Sequence, residues 1–345
     1  AIAAGVDKGI TAQAEPNGER VIRIRSQGFA PLVVELDKLW PDEKEVGTSA
    51  ALVRGMASVL QEQGQVLTGF DAYVASDLKP GGGLASSAAF SVLVGAMITA
   101  FAQDSPPVTA EELAHAAQKA ENRWFGKPCG LMDPMACALG GCIYMDFWED
   151  RILPIACDFD GLGLTLCLTD TGSSHAQATA DYAQIAAHMT EVAQLFGQPC
   201  LGAVRPADFD KVWPEHDQEL PWRRARHFFD ENWRVSAMAD ALGLRDGQRY
   251  CQLMNQSGRS SETLLENIQT PTSGQALAQG LALSQSLLEH SGGAWRVHGG
   301  GFGGCVQALM PAERFPAYQA AMEYVFGLGS CQKLSIASEG VVTLP

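Results

Sequence analysis

The chain has 345 residues, 18% of them charged and 46% hydrophobic, with a formal net charge of -15. That much apolar residue supports a large core, and the length suggests two domains. The acidic balance argues against a nucleic-acid partner, which would call for a basic face. The densest basic cluster, Arg223, Arg224 and Arg226, reads as a solvated or salt-bridged helix face.

In chain order, Val21–Arg25 and Pro31–Leu36 read as strands, Ala51–Glu62 has helical spacing, and Asp71–Ser76 is again strand-like. A Gly-rich turn follows, and 86–103 is apolar on nearly every face, which predicts a buried helix. Its apolar run from Phe90 to Phe101 is too short to span a bilayer. Thr109 and Glu112 form a capping box for the next helix, which ends near Gly126. A short helix at Pro134–Leu139 and a strand at Cys142–Phe147 come next, then turns at Trp148–Arg151 and Asp158–Gly161. The domain boundary is placed there, giving expected domains 1–160 and 161–345. Leu162, Leu164, Leu166 and Leu168 alternate as a strand, and helices are expected near 176–196, 222–242, 247–257, 275–290 and 314–326. A second Gly-rich stretch, His298–Cys305, precedes a strand at Val306–Met310.

Nine cysteines are present without a C-x-x-C pair, which fits reduced structural thiols and a cytoplasmic protein. No signal peptide is visible; the sequence opens at Ala1 rather than Met, so a missing start is expected.

Four features carry chemistry. The loop Gly81-Gly82-Gly83-Leu84-Ala85-Ser86-Ser87 lies between a strand and a helix start. Glycines let backbone approach an anion, and a helix N-terminus offers unpaired N–H donors with a partial positive charge. The two hydroxyls could cap the helix, or one could reach a magnesium ion beside the phosphates. No Walker A sequence occurs, and Ser86 spoils a dinucleotide fingerprint. Read alone, the loop fits a tight turn with a Ser N-cap equally well.

Glu121 shares a helical stripe with Leu113, Ala117 and Trp124. A carboxylate there is costly unless paired or metal-bound, although a stripe-edge Glu that reaches water fits as well. Asp133 precedes Pro134, the pattern of an N-cap and first helical residue, and a capping carboxylate would stay ionised and able to accept from a substrate hydroxyl. The third stretch holds five glycines in the seven places after His298, a density that marks close backbone approach. His298 itself reads as a structural residue.

In this order and spacing the stretches resemble the GHMP kinase superfamily, most closely its galactokinase members. The segments that carry the likeness are Gly83–Ala88, Ala120–Arg123, Pro128–Asp133, Asp170-Thr171, His175, Asp181-Tyr182 and His298–Cys305. The resemblance implies an α/β (α+β) two-lobed fold: an N-terminal lobe with a mixed sheet and a buried phosphate-loop helix, a helix-rich C-terminal lobe, and a site in the cleft between them. It implies ATP and Mg2+ as cofactors and phosphoryl transfer to the anomeric hydroxyl of a galactose-like sugar, with no nucleic-acid or membrane partner. Monomer is the expected state, dimer the alternative. Gly81, Gly82, Gly83, Leu84, Ala85, Ser86 and Ser87 would line the phosphates, with Ser87 and Glu121 at the metal. Asp133 would orient or deprotonate the sugar hydroxyl. Gly130, Asp133 and Tyr182 would touch the sugar, and Gly299, Gly300, Gly301, Phe302 and Gly303 would form a loop packed on the phosphate loop. The sequence departs from the family in opening after its N-terminal sugar-gripping signature, in Ser174 where many members have Arg, and in Pro80, one place later than usual. Kinases of an amino sugar, a heptose or another alcohol, and a catalytically weak sugar sensor, are the alternatives.

Overall fold

Alternating apolar residues build the first sheet. In the computed structural model, which describes residues 1–79, 81–173, 179–268 and 275–344, two units divide the chain. The N-terminal unit comprises 3–145 with 336–345, and the C-terminal unit comprises 146–335 with Ala1 and Ile2. The expected boundary near 160 thus moves to 145/146, and the last ten residues return to the first unit. That return is held by backbone: Gly141 N–H donates to the Ala337 carbonyl at 2.7 Å, and Ala337 N–H to Gly5 at 3.0 Å. A Cβ on Gly140 would lie 2.1 Å from the Glu339 carbonyl carbon, so the tail requires glycine there. Pro80, Ser174 and His175, three positions singled out above, lie outside the described residues.

The N-terminal unit opens with β1 (Ile2–Ala4), β2 (Ile10–Pro16), β3 (Val21–Ser26), β4 (Leu32–Glu35), α1 (Ser49–Glu62) and β5 (Phe70–Ser76). Four strands form a mixed sheet in the order β2-β5-β3-β4, with β3 and β5 parallel and the other neighbours antiparallel. On β5, Phe70, Ala72 and Val74 are buried while Tyr73 is exposed, the period of two that a one-sided sheet demands. β2 is an edge strand with no fully buried residue. Four further elements are α2 (Ser86–Phe101), α3 (Ala110–Ala120), α4 (Met132–Leu139) and β6 (Cys142–Asp146). Helices α1 to α4 pack on one another, and α2 lies against β2. The capping box at Thr109 and Glu112 forms as expected.

The C-terminal unit runs through β7 (Arg151–Ile155), β8 (Leu164–Ser173), α5 (Thr179–Leu195), α6 (Pro206–Val212), α7 (Leu220–Gly243), α8 (Gly247–Ser260), α9 (Ala276–Leu288), β9 (Ala294–Val297), β10 (Gly304–Pro311), α10 (Phe315–Phe326) and β11 (Cys331–Leu334). An antiparallel sheet, β11-β8-β10-β9, is covered by α9 and α10, while α5, α7 and α8 pack together. An aromatic core around Phe209, Trp222 and Phe229 holds α6 and α7.

The basic cluster is not simply a solvated face. Arg223 pairs with Glu266, and Arg226 with Asp210 and Asp230. Arg224 is buried, donating from Nε to the Leu265 carbonyl at 3.1 Å. All nine cysteines are free thiols. Among the described residues no helix is long and apolar enough to cross a membrane.

Candidate functional site

The Gly-rich loop joins β5 to α2 through a succession of left-handed residues. Gly81 has φ +73°, Gly83 has φ +82°, and Ala85, the residue before the helix, has φ 49°. A non-glycine residue held there costs on the order of 1–3 kcal/mol, a strain found mostly at ligand sites. Gly82 N–H donates to the Lys79 carbonyl at 3.0 Å, closing the turn. The helix therefore begins without a side-chain cap: Ala85 supplies none, and Ser86 and Ser87 are already helical. This corrects the Ser N-cap reading and leaves both hydroxyls in the first turn, beside N–H groups with no partner inside the helix.

Glu121 is 1% exposed, which excludes a glutamate reaching for water. It shares its buried stripe with Leu113, Ala117 and Trp124, as the spacing predicts. The reason it is held inside is local. Helix α3 widens at Glu121 into a single π-helical turn, Glu121–Phe125, that ends on Gly126 at φ +77°. Trp124 anchors the turn by donating from Nε1 to the Leu39 carbonyl at 2.8 Å. Such turns inside α-helices concentrate at functional sites.

The Glu121 carboxylate is half satisfied. The Lys127 ammonium lies 3.6 Å from Oε2, whereas buried Oε1 has no partner among the described residues. A buried carboxylate oxygen without a donor is expensive, and a cation is the natural remedy. Lys127 Nζ also reaches Ser87 Oγ, at 3.5 Å, so one ammonium spans the two residues assigned to the metal. A carboxylate and a hydroxyl suit a hard, oxygen-loving ion that takes its remaining ligands from phosphate and water, which fits Mg2+. Among the described residues no group of three or more His, Cys, Asp or Glu could hold a metal alone.

Asp133 lies in the first turn of α4, where the helix dipole favours an ionised carboxylate. The helix starts at Met132 after Leu131, two residues earlier than Asp133 as N-cap would require, so the cap reading is corrected. Negative charge here is felt by two thiols. Burial, then Glu121, pushes Cys129 up to about 12. Burial, then Asp133 and Glu121, does the same to Cys137, also to about 12. The loop carrying Gly130 is fixed by Asn122, whose Oδ1 accepts from Cys129 N–H at 2.7 Å. The structure thus brings Ser87, Glu121, Cys129 and Lys127 together. Lys127 carries no motif and was missed in the sequence.

In the C-terminal unit the second glycine loop is clamped from its own side. Phe302 N–H donates to the Asn267 carbonyl at 2.5 Å, and Asn267 Nδ2 donates to Gly300 at 3.0 Å. Thr171 Oγ1 donates to Gly304 at 2.6 Å. A Cβ on Gly301, at φ +80°, would lie 2.2 Å from the Asn267 oxygen, the close approach that the glycine density predicts. Tyr182, expected at the sugar, donates its hydroxyl to the Gly301 carbonyl at 2.8 Å and sets its ring edge against Phe302. His298 bonds within the hairpin, its N–H donating to Cys305 at 2.9 Å. Gly299 and Gly303 adopt φ +64° and +128°, which completes a loop of left-handed turns.

Residues 51–141, which span the phosphate loop, Glu121 and Asp133, match the family of GHMP kinases N terminal domain. Galactokinase of Glaesserella parasuis serovar 5 (strain SH0165) is 32% identical over 268 residues, 77% of this chain and 68% of that protein. Galactokinase of Actinobacillus pleuropneumoniae serotype 3 (strain JL03) is 32% identical over 283 residues, 81% of this chain and 72% of that protein. In fold, the chain is similar to a crystal structure of Lactococcus lactis galactokinase complexed with galactose, with a TM-score of 0.84 at 23% identity, covering 99% of this chain and 89% of that one. Identity at this level, over more than two thirds of each curated relative, places the site in a known lineage: the chain belongs to the galactokinase family of GHMP kinases.

Proposed function

We propose that the chain is a sugar-1-kinase that transfers the γ-phosphoryl group of ATP to the anomeric hydroxyl of galactose, yielding galactose 1-phosphate and ADP. The observation that carries this reading is the buried, half-satisfied Glu121 tied through Lys127 to Ser87 at the uncapped start of α2. Family membership supplies the reaction class, a phosphotransferase acting on a sugar hydroxyl.

In this reading the glycine loop and the first turn of α2, Gly81 to Ser87, cradle the ATP phosphates, and the α2 dipole favours their charge. Ser87 and Glu121 hold Mg2+, which when bound neutralises phosphate charge. Asp133 accepts a hydrogen bond from the sugar hydroxyl, aims its oxygen at the phosphorus and takes its proton as the O–P bond forms. Phosphoryl transfer through a loose transition state asks the protein mainly for positioning and charge, which a carboxylate in the first turn of α4 can supply. Gly130, with open space around its Cα, leaves room for the sugar next to it.

A coupled assay of ADP release over a panel of hexoses, amino sugars and heptoses tests the assignment. Turnover with galactose well above the others is expected. A different preferred acceptor would replace the sugar, and no acceptor-dependent turnover would overturn the reading.

A further inference from the structure

Lys127 owes its position to backbone geometry. Gly126 and Lys127 both donate their amides to the Glu121 carbonyl, the latter at 3.1 Å, so the chain doubles back over the residue that began the π-helical turn. The reversal depends on Gly126 at φ +77°, where a Cβ would also lie 2.9 Å from Val46 Cγ1. Gly47 N–H secures the same turn by donating to the Phe125 carbonyl at 3.0 Å.

Two features indicate that this ammonium faces a ligand. Its partners are distant, 3.6 Å to Glu121 Oε2 and 3.5 Å to Ser87 Oγ, beyond the range of good hydrogen bonds. Its side chain is 49% exposed, although the carboxylate it accompanies is sealed in. An ammonium has three donors, and here they are loosely engaged beside the unpaired N–H groups of α2. Glu121 Oε1, buried and unpartnered, shows that the arrangement awaits more positive charge than Lys127 alone provides.

We infer that Lys127 is a phosphate-binding residue of the nucleotide site, contacting the outer phosphate oxygens of the nucleoside triphosphate. The inference rests on the nucleotide site proposed above and adds to it a cation that belongs to the protein. Glu121 and Ser87 would hold a divalent ion, and with their oxygens so engaged the Lys127 ammonium would be left to the phosphates. As a compact point charge it then stabilises the negative charge that spreads over the transferred group. A lysine serving only as counter-ion to Glu121 would affect folding and leave nucleotide affinity alone.

Calorimetric titration of ATP in EDTA and, separately, with Mg2+ tests this on the wild type, Lys127→Met and Lys127→Arg, with melting curves in parallel. One lost charge-assisted hydrogen bond predicts that K127M binds ATP in the presence of Mg2+ about 10- to 100-fold more weakly, with a smaller loss in EDTA, where Glu121 still engages the ammonium of the wild type. K127R, which keeps the charge, should stay within about threefold of wild type. If K127M does not fold, E121Q and E121Q/K127M give the same comparison without a stranded carboxylate, and the same loss is expected. Equal ATP affinity in the variant and its parent, whatever the melting temperature, would overturn the inference alone. A wild type that binds no ATP would overturn the nucleotide site and the inference with it.

Discussion

Glu121 and Lys127 are joined twice: the lysine amide donates to the glutamate carbonyl at 3.1 Å, and its ammonium lies 3.6 Å from the carboxylate. The first bond is a consequence of the π-helical turn, and the second is what that turn achieves. The carboxylate is buried beside the start of α2, and its Oε1 has no partner among the described residues.

Replacing Glu121 by Gln keeps the shape and removes the charge. If Glu121 is the metal ligand proposed above, kcat should fall by about 100-fold or more, and the Mg2+ concentration for half-maximal rate should rise. The melting temperature should hold or increase, since a half-satisfied buried charge is gone. Steady-state kinetics over a magnesium series and thermal melts check this together.

Asp133→Asn should lower kcat by about 10²- to 10⁴-fold, the range for losing a positioned proton acceptor. ATP affinity should stay near the wild-type value, because the proposed role of Asp133 is toward the acceptor rather than the nucleotide. Kinetics and calorimetry on one preparation separate the two effects.

Much of this was legible in the sequence, and the failures have physical causes. The stripe through Leu113, Ala117 and Trp124 marks Glu121 as anomalous, but its burial follows from the π-helical turn and the Trp124 bond to Leu39, contacts 85 residues apart. Lys127 is invisible because a lysine in a loop is ordinary until Ser87, 40 residues earlier, is brought beside it. The clamps on the second glycine loop come from Asn267, which carries no pattern, and from Thr171 and Tyr182, whose segments the family likeness marks without showing that they bond this loop. Among elements, β2 was missed although Ile10, Ala12 and Ala14 alternate with Thr11, Gln13 and Glu15, because two of its three inward residues are alanines and the apolar signal is small. Helix α6 is a short helix with a single fully buried residue, Phe209, and leaves no period to read. The return of 336–345 to the N-terminal unit depends on glycine contacts rather than on hydropathy.

Two glycines of the second loop should separate strain from collision. Gly299→Ala, at φ +64° with open space around it, should cost about 1–2 kcal/mol. Gly301→Ala, at φ +80° and 2.2 Å from the Asn267 oxygen, must also displace backbone and should lower the melting temperature considerably more. Melting curves rank the pair; equal shifts would contradict the described clamp.

Stability should fall in mild acid through His227. The ring is buried, with Nδ1 2.9 Å from Ser260 Oγ, and burial holds its pKa below the ordinary histidine value of 6.5 despite Glu231 and Asp230 nearby; Arg296 and Arg234 push the same way as burial. The unfolded chain therefore takes up the proton first, so stability is intact above about 6.5 and declines as pH drops from there toward the folded pKa, by at most about 1.4 kcal/mol per pH unit. His227→Gln should flatten that part of the stability curve, measured by denaturant titration between neutral and mildly acidic pH. An unchanged slope would show that other groups set it.

Cysteine labelling should follow exposure and charge. Cys200 is exposed, whereas the Cys129 thiol is pushed up to about 12 by burial and Glu121. Only the thiolate reacts, so iodoacetamide at mildly alkaline pH should modify Cys200 well before Cys129. Peptide mass spectrometry over a time course reads the order, and early labelling of Cys129 would contradict the geometry around Glu121.

The central claim is phosphoryl transfer from ATP to the anomeric oxygen of galactose, and phosphorus NMR of the reaction tests it most directly. With protein, Mg2+, ATP and galactose, a sugar 1-phosphate resonance should grow in step with ADP, and Asp133→Asn should suppress both. ADP formed without a sugar phosphate, or no galactose-dependent change at all, would contradict the account.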